Sequence, residues 1–92
     1  MKNNAIRVNP LDNVAIVILP IKNGDPVIVH GGRLCQAVQD VETSHKIALV
    51  DIRQGENVIR YGEPIVQALS DIKQGQWVHV HNTQPVPGDP DK

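Results

Sequence analysis

The sequence predicts an all-β domain built of short strands, and three observations lead there. The apolar residues are largely β-branched, 13 Val and 10 Ile against 5 Leu and 5 Ala, with no Phe in 92 residues. Such side chains are stiff at χ1 and sit better on a pleated surface than on a helix. Seven Gly and seven Pro supply frequent turns, as expected of many short strands. Finally, one turn-and-strand pattern recurs: Pro20-Ile21-Lys22-Asn23-Gly24-Asp25-Pro26-Val27-Ile28-Val29-His30, then Asp51-Ile52-Arg53-Gln54-Gly55-Glu56-Asn57-Val58-Ile59-Arg60-Tyr61, then Asp71-Ile72-Lys73-Gln74-Gly75-Gln76-Trp77-Val78-His79-Val80-His81. Each copy has an Ile, a base, a polar residue and a Gly suited to positive φ, followed by a segment able to pair as a strand. The spacings of 31 and 20 residues are unequal. A solenoid holds one period, so the pattern reads as a single domain reusing one device.

Length and charge bound the rest. A chain of 92 residues makes one small core. With 40% hydrophobic and 21% charged residues and a formal net charge of −1, it has the balance of a soluble globular protein and nothing basic to attract nucleic acid. It has no apolar run long enough to span a membrane and no secretory leader pattern, so the expected compartment is the cytoplasm. Cys35 is the only cysteine. It excludes an intramolecular disulfide and reads as a small buried hydrophobe.

In chain order, Asp12-Asn13 opens a strand candidate at Val14-Ala15-Ile16-Val17-Ile18-Leu19. Val27-Ile28-Val29-His30 turns through Gly31-Gly32 into Arg33-Leu34-Cys35-Gln36-Ala37-Val38, since a two-residue hairpin turn favours positive φ. His45-Lys46-Ile47-Ala48-Leu49-Val50 follows. Pro64-Ile65-Val66-Gln67-Ala68-Leu69 is either another strand or a helical turn opened by its proline. The folded domain is expected over residues 1–82, with a Pro-rich tail or linker over 83–92.

The chemistry-bearing residues are histidines. In an extended Gly75-Gln76-Trp77-Val78-His79-Val80-His81-Asn82, alternation sends Trp77, His79 and His81 to one face and Val78 and Val80 to the core. The two imidazoles then stand roughly 7 Å apart at the backbone, near enough to converge on one ion or carboxylate. Polar residues on the outer face of a strand read the same way, and both readings stay open. His45 or Lys46 is a candidate base for proton abstraction if burial brings its pKa toward neutral. His30 reads as a solvated strand end, and Asp51 and Asp71 as turn residues bonding local backbone. The residues contain no paired-carboxylate set, phosphate-binding Gly loop or Ser/His/Asp constellation.

Asp12-Asn13-Val14-Ala15, Ser44-His45-Lys46-Ile47-Ala48-Leu49-Val50-Asp51-Ile52, Gly55, Val58-Ile59-Arg60-Tyr61-Gly62, Pro64-Ile65 and His79-Val80-His81-Asn82 together resemble the small N-terminal SAF-type domain of the altronate dehydratase family. The resemblance runs over roughly residues 5 to 83. It implies a β-clip fold and a role in dehydrating a sugar acid, D-altronate to 2-keto-3-deoxy-gluconate plus water. It implies a divalent metal, iron(II) or manganese(II), in the assembled enzyme. It also implies that His45, His79 and His81 face the active site and that Lys46 binds substrate. The family places most of its catalytic machinery in a far larger domain or subunit, so the isolated chain is expected to be inactive. The small subunit of a sulfolactate sulfo-lyase and a non-catalytic module binding metal or sugar acid are the alternatives. Which of these residues, if any, holds metal is open, as is self-association into a homo-oligomer. Two positions depart from the family's pattern: Ser44 and Val66 stand where Gly is usual.

Overall fold

β-branched side chains and turn glycines dominate the paired segments of the computed structural model, which describes residues 2–86. The strands are β1 (Ala5–Ile6), β2 (Val14–Val17), β3 (Pro26–Val29), β4 (Gly32–Gln36), β5 (Lys46–Ala48), β6 (Asn57–Arg60), β7 (Glu63–Ala68), β8 (Trp77–Val78) and β9 (Thr83–Gln84). No helix occurs among the described residues, and so none is long and apolar enough to cross a membrane. The segment from Pro64, open between strand and helical turn on sequence, lies in β7.

A central antiparallel sheet runs in the order β1-β2-β5-β8. Its two faces carry separate cores. Ala5, Ala15, Val17, Ile47 and Leu49 join Val27, Val29, Cys35 and Ala37 from the β3–β4 hairpin on one face, with Trp77 packed against them. Val14, Ala48 and Val78 join Val58 and Ala68 from the β6–β7 pair on the other, backed by Ile65 and Val66. Strict alternation along strands buried on both faces produces this division.

The recurring device has a fourth copy that the sequence pattern hid. Ile21 bridges Val41, and Ile52 bridges Ile72, each second pair lying 31 residues after the first (21 to 52, 41 to 72). All four side chains are buried, and burying each contributes roughly 1.5–3 kcal/mol. The backbone bonds repeat as well: Gly24 N donates to Ala37 O, Ser44 N to Val17 O, Gly55 N to Ala68 O and Gly75 N to Ala48 O. The positive φ of Gly24, Gly55 and Gly75 (95°, 88° and 87°) is matched by 75° at Ser44. Ser44 thus adopts the glycine conformation, and the turn survives the departure. Val66 takes an ordinary strand place in β7, opposite Val58. The unequal spacings come from two interlocked halves, each with one turn pair and one hairpin.

The hairpins are equivalent too. Their tight turns are His30-Gly31 (φ 52° and 76°) and Tyr61-Gly62 (58° and 76°), the double positive φ of a type I′ turn. The first turn therefore lies one residue earlier than the expected Gly31-Gly32, because Gly32 pairs with Val29 in the ladder. Asn4 and Asn13 each clamp a bulge: Asn4 Oδ1 accepts from Ile28 N and Asn13 Oδ1 from Ile59 N, both at 2.8 Å. Asp12 does the matching work on the second turn, where its buried carboxylate accepts from Gly62 N at 2.8 Å and Asn9 N at 3.1 Å. Burial alone would raise its pKa, but the backbone donors of Gly62, Tyr61, Asn9 and Val8 hold it below the usual carboxylate value.

Asp51 and Asp71 serve turns as expected, although on each other's turn rather than their own. Asp51 Oδ1 accepts from Gln74 N and Asp71 Oδ1 from Gln54 N, both at 2.8 Å. The paired strand content also extends past residue 82, since Thr83 and Gln84 form β9 against Ala68 and Gln67. Residues 87–92 of the expected tail lie outside the described residues.

Candidate functional site

The four turns explain why His45 is available for chemistry. In three of them the fifth residue caps its own turn with its side chain. Asp25 Oδ2 accepts from Lys22 N at 3.0 Å, Glu56 Oε1 from Arg53 N at 2.7 Å and Gln76 Oε1 from Lys73 N at 2.9 Å. His45 holds that position in the fourth turn, and its backbone N still donates to Glu42 O as the others do. Its side chain does something else. The imidazole stacks on Trp77, with ring centroids 5.1 Å apart and planes 15° from parallel.

His79 and His81 arrive at the same place through a turn rather than a strand. β8 ends at Val78, and residues 79–82 bend back, closed by Asn82 N donating to His79 O at 3.1 Å. Buried Asn82 holds this bend from inside: its Oδ1 accepts from His79 N at 2.9 Å and its Nδ2 donates to Trp77 O at 2.8 Å. Thr83 Oγ1 donates to His79 O at 2.8 Å. The expected burial of Val80 is wrong for this reason. Alternation stops at the bend, leaving Val80 75% exposed while Val78 is fully buried.

Trp77 is the shared floor. It makes centroid distances of 4.8 Å to His79 and 4.9 Å to His81, and His79 lies 5.6 Å from His45 and 6.1 Å from His81. Trp77 itself is fixed by packing on the first core and by its backbone N donating to Gln39 Oε1 at 3.0 Å. The result is a wall of one indole and three imidazoles, with His79 and His81 exposed and His45 half-buried. A cleft of about 300 Å³ opens beside it, lined by Asp40, Glu42, His45 and Trp77. The Trp77 Nε1–H is buried with no hydrogen-bond partner. Stacking limits the rotamers of the imidazoles, which orders groups able to donate or accept hydrogen bonds.

His45 and His79 are stacked with their planes 1° apart, so their in-plane lone pairs lie in separate parallel planes and do not meet at one ion. No group of three or more His, Cys, Asp or Glu among the described residues is placed to hold a metal.

Lys46 is on the other side of the sheet. It alternates with Ile47 in β5 and lies opposite Val78, whereas Ile47 lies opposite Trp77. Lys46 therefore faces the second core and the histidine wall faces the first. Burial, and then the nearby charge of Arg60, push the Lys46 ammonium below its ordinary pKa. His30 is exposed in its hairpin turn and apart from this stacked wall. Cys35 is buried, as expected, and desolvation raises its thiol pKa against a smaller opposing effect of Arg33.

Two contributors carry weak signals in the sequence. Trp77 shares the histidines' face by alternation without showing that it is their floor, and Asn82 signals its part only by type: an amide closing a His-x-His run can satisfy the backbone of a bend.

A family model described as the altronate/galactarate dehydratase SAF domain matches residues 3–85. No curated protein matches the chain.

Proposed function

On the premise that the chain belongs to the SAF-domain family of altronate and galactarate dehydratases, and so is a domain associated with sugar-acid dehydratases, we propose that it supplies one wall of an active site. A larger catalytic domain or subunit completes that site. The substrate is a sugar acid of the altronate type, converted to its 2-keto-3-deoxy acid and water. The observation that carries this reading is the wall of His45, Trp77, His79 and His81, where three imidazoles are held on one indole with two of them open to solvent.

The reaction breaks the C–H bond next to the carboxylate and the C–O bond one carbon further on. An enol results and rearranges to the keto acid. It needs one group to take the carbon's proton and another to protonate the departing hydroxyl, tasks that suit imidazoles. Trp77 orients the rings and Asn82 sets the bend that presents His79 and His81. Lys46, on the far face of the sheet, takes no proton-transfer step in this scheme. In this scheme the divalent metal is held by the larger part, since no group of three or more His, Cys, Asp or Glu among the described residues is placed to hold one.

The test is reconstitution. The chain is combined with the large catalytic part, and keto-acid formation from altronate and galactarate is followed with iron(II) or manganese(II). His45→Ala, His79→Ala and His81→Ala are compared with the parent. At least one replacement should lower kcat by roughly a hundredfold, the lower range for an acid–base group. Full activity of the large part alone, or of all three variants, defeats the proposal. A sulfolactate arm in the same assay tests the sulfo-lyase alternative.

A further inference from the structure

Turn 41–45 lacks two caps that its three sister turns have. At the second position, Lys22 N, Arg53 N and Lys73 N each donate to a side-chain oxygen of their own turn, from Asp25, Glu56 and Gln76. At the third, Asn23 N, Gln54 N and Gln74 N each donate at 2.8 Å to the aspartate that precedes the opposite turn, Asp40, Asp71 and Asp51 respectively. The matching amides of turn 41–45 are Glu42 N and Thr43 N, and neither donates to a partner among the described residues. Two residue choices cause this. The His45 side chain lies on Trp77 instead of capping its turn. Pro20 precedes Ile21 as Asp40, Asp51 and Asp71 precede the other bridging residues, and proline has no side-chain oxygen.

Glu42, Thr43 and Ser44 are exposed, and Ser44 is left-handed. Successive amides in such a turn make a concavity for an oxygen acceptor. The sister turns fill it from within the chain, whereas this one is open to an acceptor from outside. Charge selects which acceptor fits. The sisters carry a base at the second position, but this turn carries Glu42, which has no ion pair among the described residues and shares a cleft with Asp40. A carboxylate entering there meets like charge. A carboxamide carries none: its oxygen accepts from the two amides, and its N–H is a donor for Glu42. The turn also borders the histidine wall. Asp40 and Glu42 line the cleft with His45 and Trp77, and Glu42 and Thr43 line a second cleft of about 390 Å³ with Pro20 and Lys22.

We propose that turn 41–45 is a docking site, which the larger catalytic part caps with a carboxamide of its main chain or of an Asn or Gln side chain. The inference rests on the reading of the histidine wall as one side of a shared site, and it names the contact that anchors the other side.

The experiment restores the missing cap within the chain. Pro20→Asp sets a carboxylate at the place equivalent to Asp51, and Pro20→Ala removes the proline without adding an acceptor. In the free chain, amide hydrogen exchange at Thr43 should slow for Pro20→Asp and not for Pro20→Ala. Affinity for the large catalytic part, measured by calorimetry, should fall about tenfold for Pro20→Asp, roughly the weight of one hydrogen bond, and stay within about twofold of the parent for Pro20→Ala. In the parent's complex, exchange at Glu42 and Thr43 should slow at least about tenfold. Should the complex form and dehydrate its sugar acid while Pro20→Asp binds as tightly as Pro20→Ala, or while those two amides exchange as in the free chain, the docking site is overturned and the dehydratase reading stands. No complex at all defeats both. Slowed exchange at Glu42 and Thr43 on adding D-gluconate to the free chain makes a small acid the occupant, and that too overturns the proposal.

Discussion

Gly55 and Gly75 occupy equivalent turns with φ of 88° and 87°, yet a methyl group would meet different surroundings at each. At Gly55 no heavy atom lies within 4 Å of the added Cβ. Gly55→Ala therefore isolates the backbone effect. An L-residue in the left-handed region costs roughly 1–2 kcal/mol, and the reduced entropy of the unfolded chain returns about 0.5–1 kcal/mol, leaving a loss near 1 kcal/mol. At Gly75 the same Cβ would collide with the carbonyl oxygen of Gln36 and come within 3.1 Å of Ala37 Cα. These are backbone atoms and cannot rotate away. Relief requires moving the turn, which strains the bonds from Gly75 N to Ala48 O (2.8 Å) and from Val38 N to Gly75 O (3.0 Å). Overpacking adds about 1–3 kcal/mol, and weakening buried backbone bonds a further 1–3 kcal/mol. Gly75→Ala should thus lose about 3–7 kcal/mol, a large share of the roughly 5–15 kcal/mol typical of a domain. Guanidinium unfolding followed through Trp77, the sole tryptophan, measures both variants. Agreement between them within about 0.5 kcal/mol would refute the close approach of turn 72–76 to the end of β4, and with it the support beneath Trp77.

Two further predictions concern polar groups. Asn82→Ala removes the acceptor for His79 N and the donor to Trp77 O; it should cost about 2 kcal/mol in denaturant unfolding and alter Trp77 emission, while Asn82→Asp, which keeps the acceptor but sets a buried carboxylate oxygen against Trp77 O, should cost at least as much. Asp12 has a folded pKa below its unfolded value, so its contribution to stability is present above the unfolded pKa of about 3.9 and is lost as pH falls through the folded value. Asp12→Asn should therefore flatten the acid side of the stability–pH curve below about pH 4, measured by thermal melts across pH; an acid limb as steep as the parent's would remove Asp12 from that role.

Much of this fold was legible in the chain because its determinants are local. β-branched runs define strands, and Gly24, Gly55 and Gly75 mark three of the four turns by supplying positive φ. The fourth stayed hidden because Ser44 adopts the same backbone without being glycine, and Val41 replaces the isoleucine. The pairing of His79 with His81 followed from their spacing, but their presentation did not. A bend held by Asn82 and Thr83, rather than strand alternation, sets it.

Residue type and spacing by themselves determined an all-β chain, its turn device and the histidines worth watching, since these depend on conformational preferences within a few residues. Tertiary structure alone decided which groups meet. His45 reaches Trp77 through the pairing of β5 with β8, 30 residues apart in sequence at the Ile47–Trp77 pair. Lys46, the very next residue to His45, is sent to the opposite face by the same sheet. A strand gives neighbouring side chains opposite directions, so adjacency in sequence separated two residues that function had been expected to join.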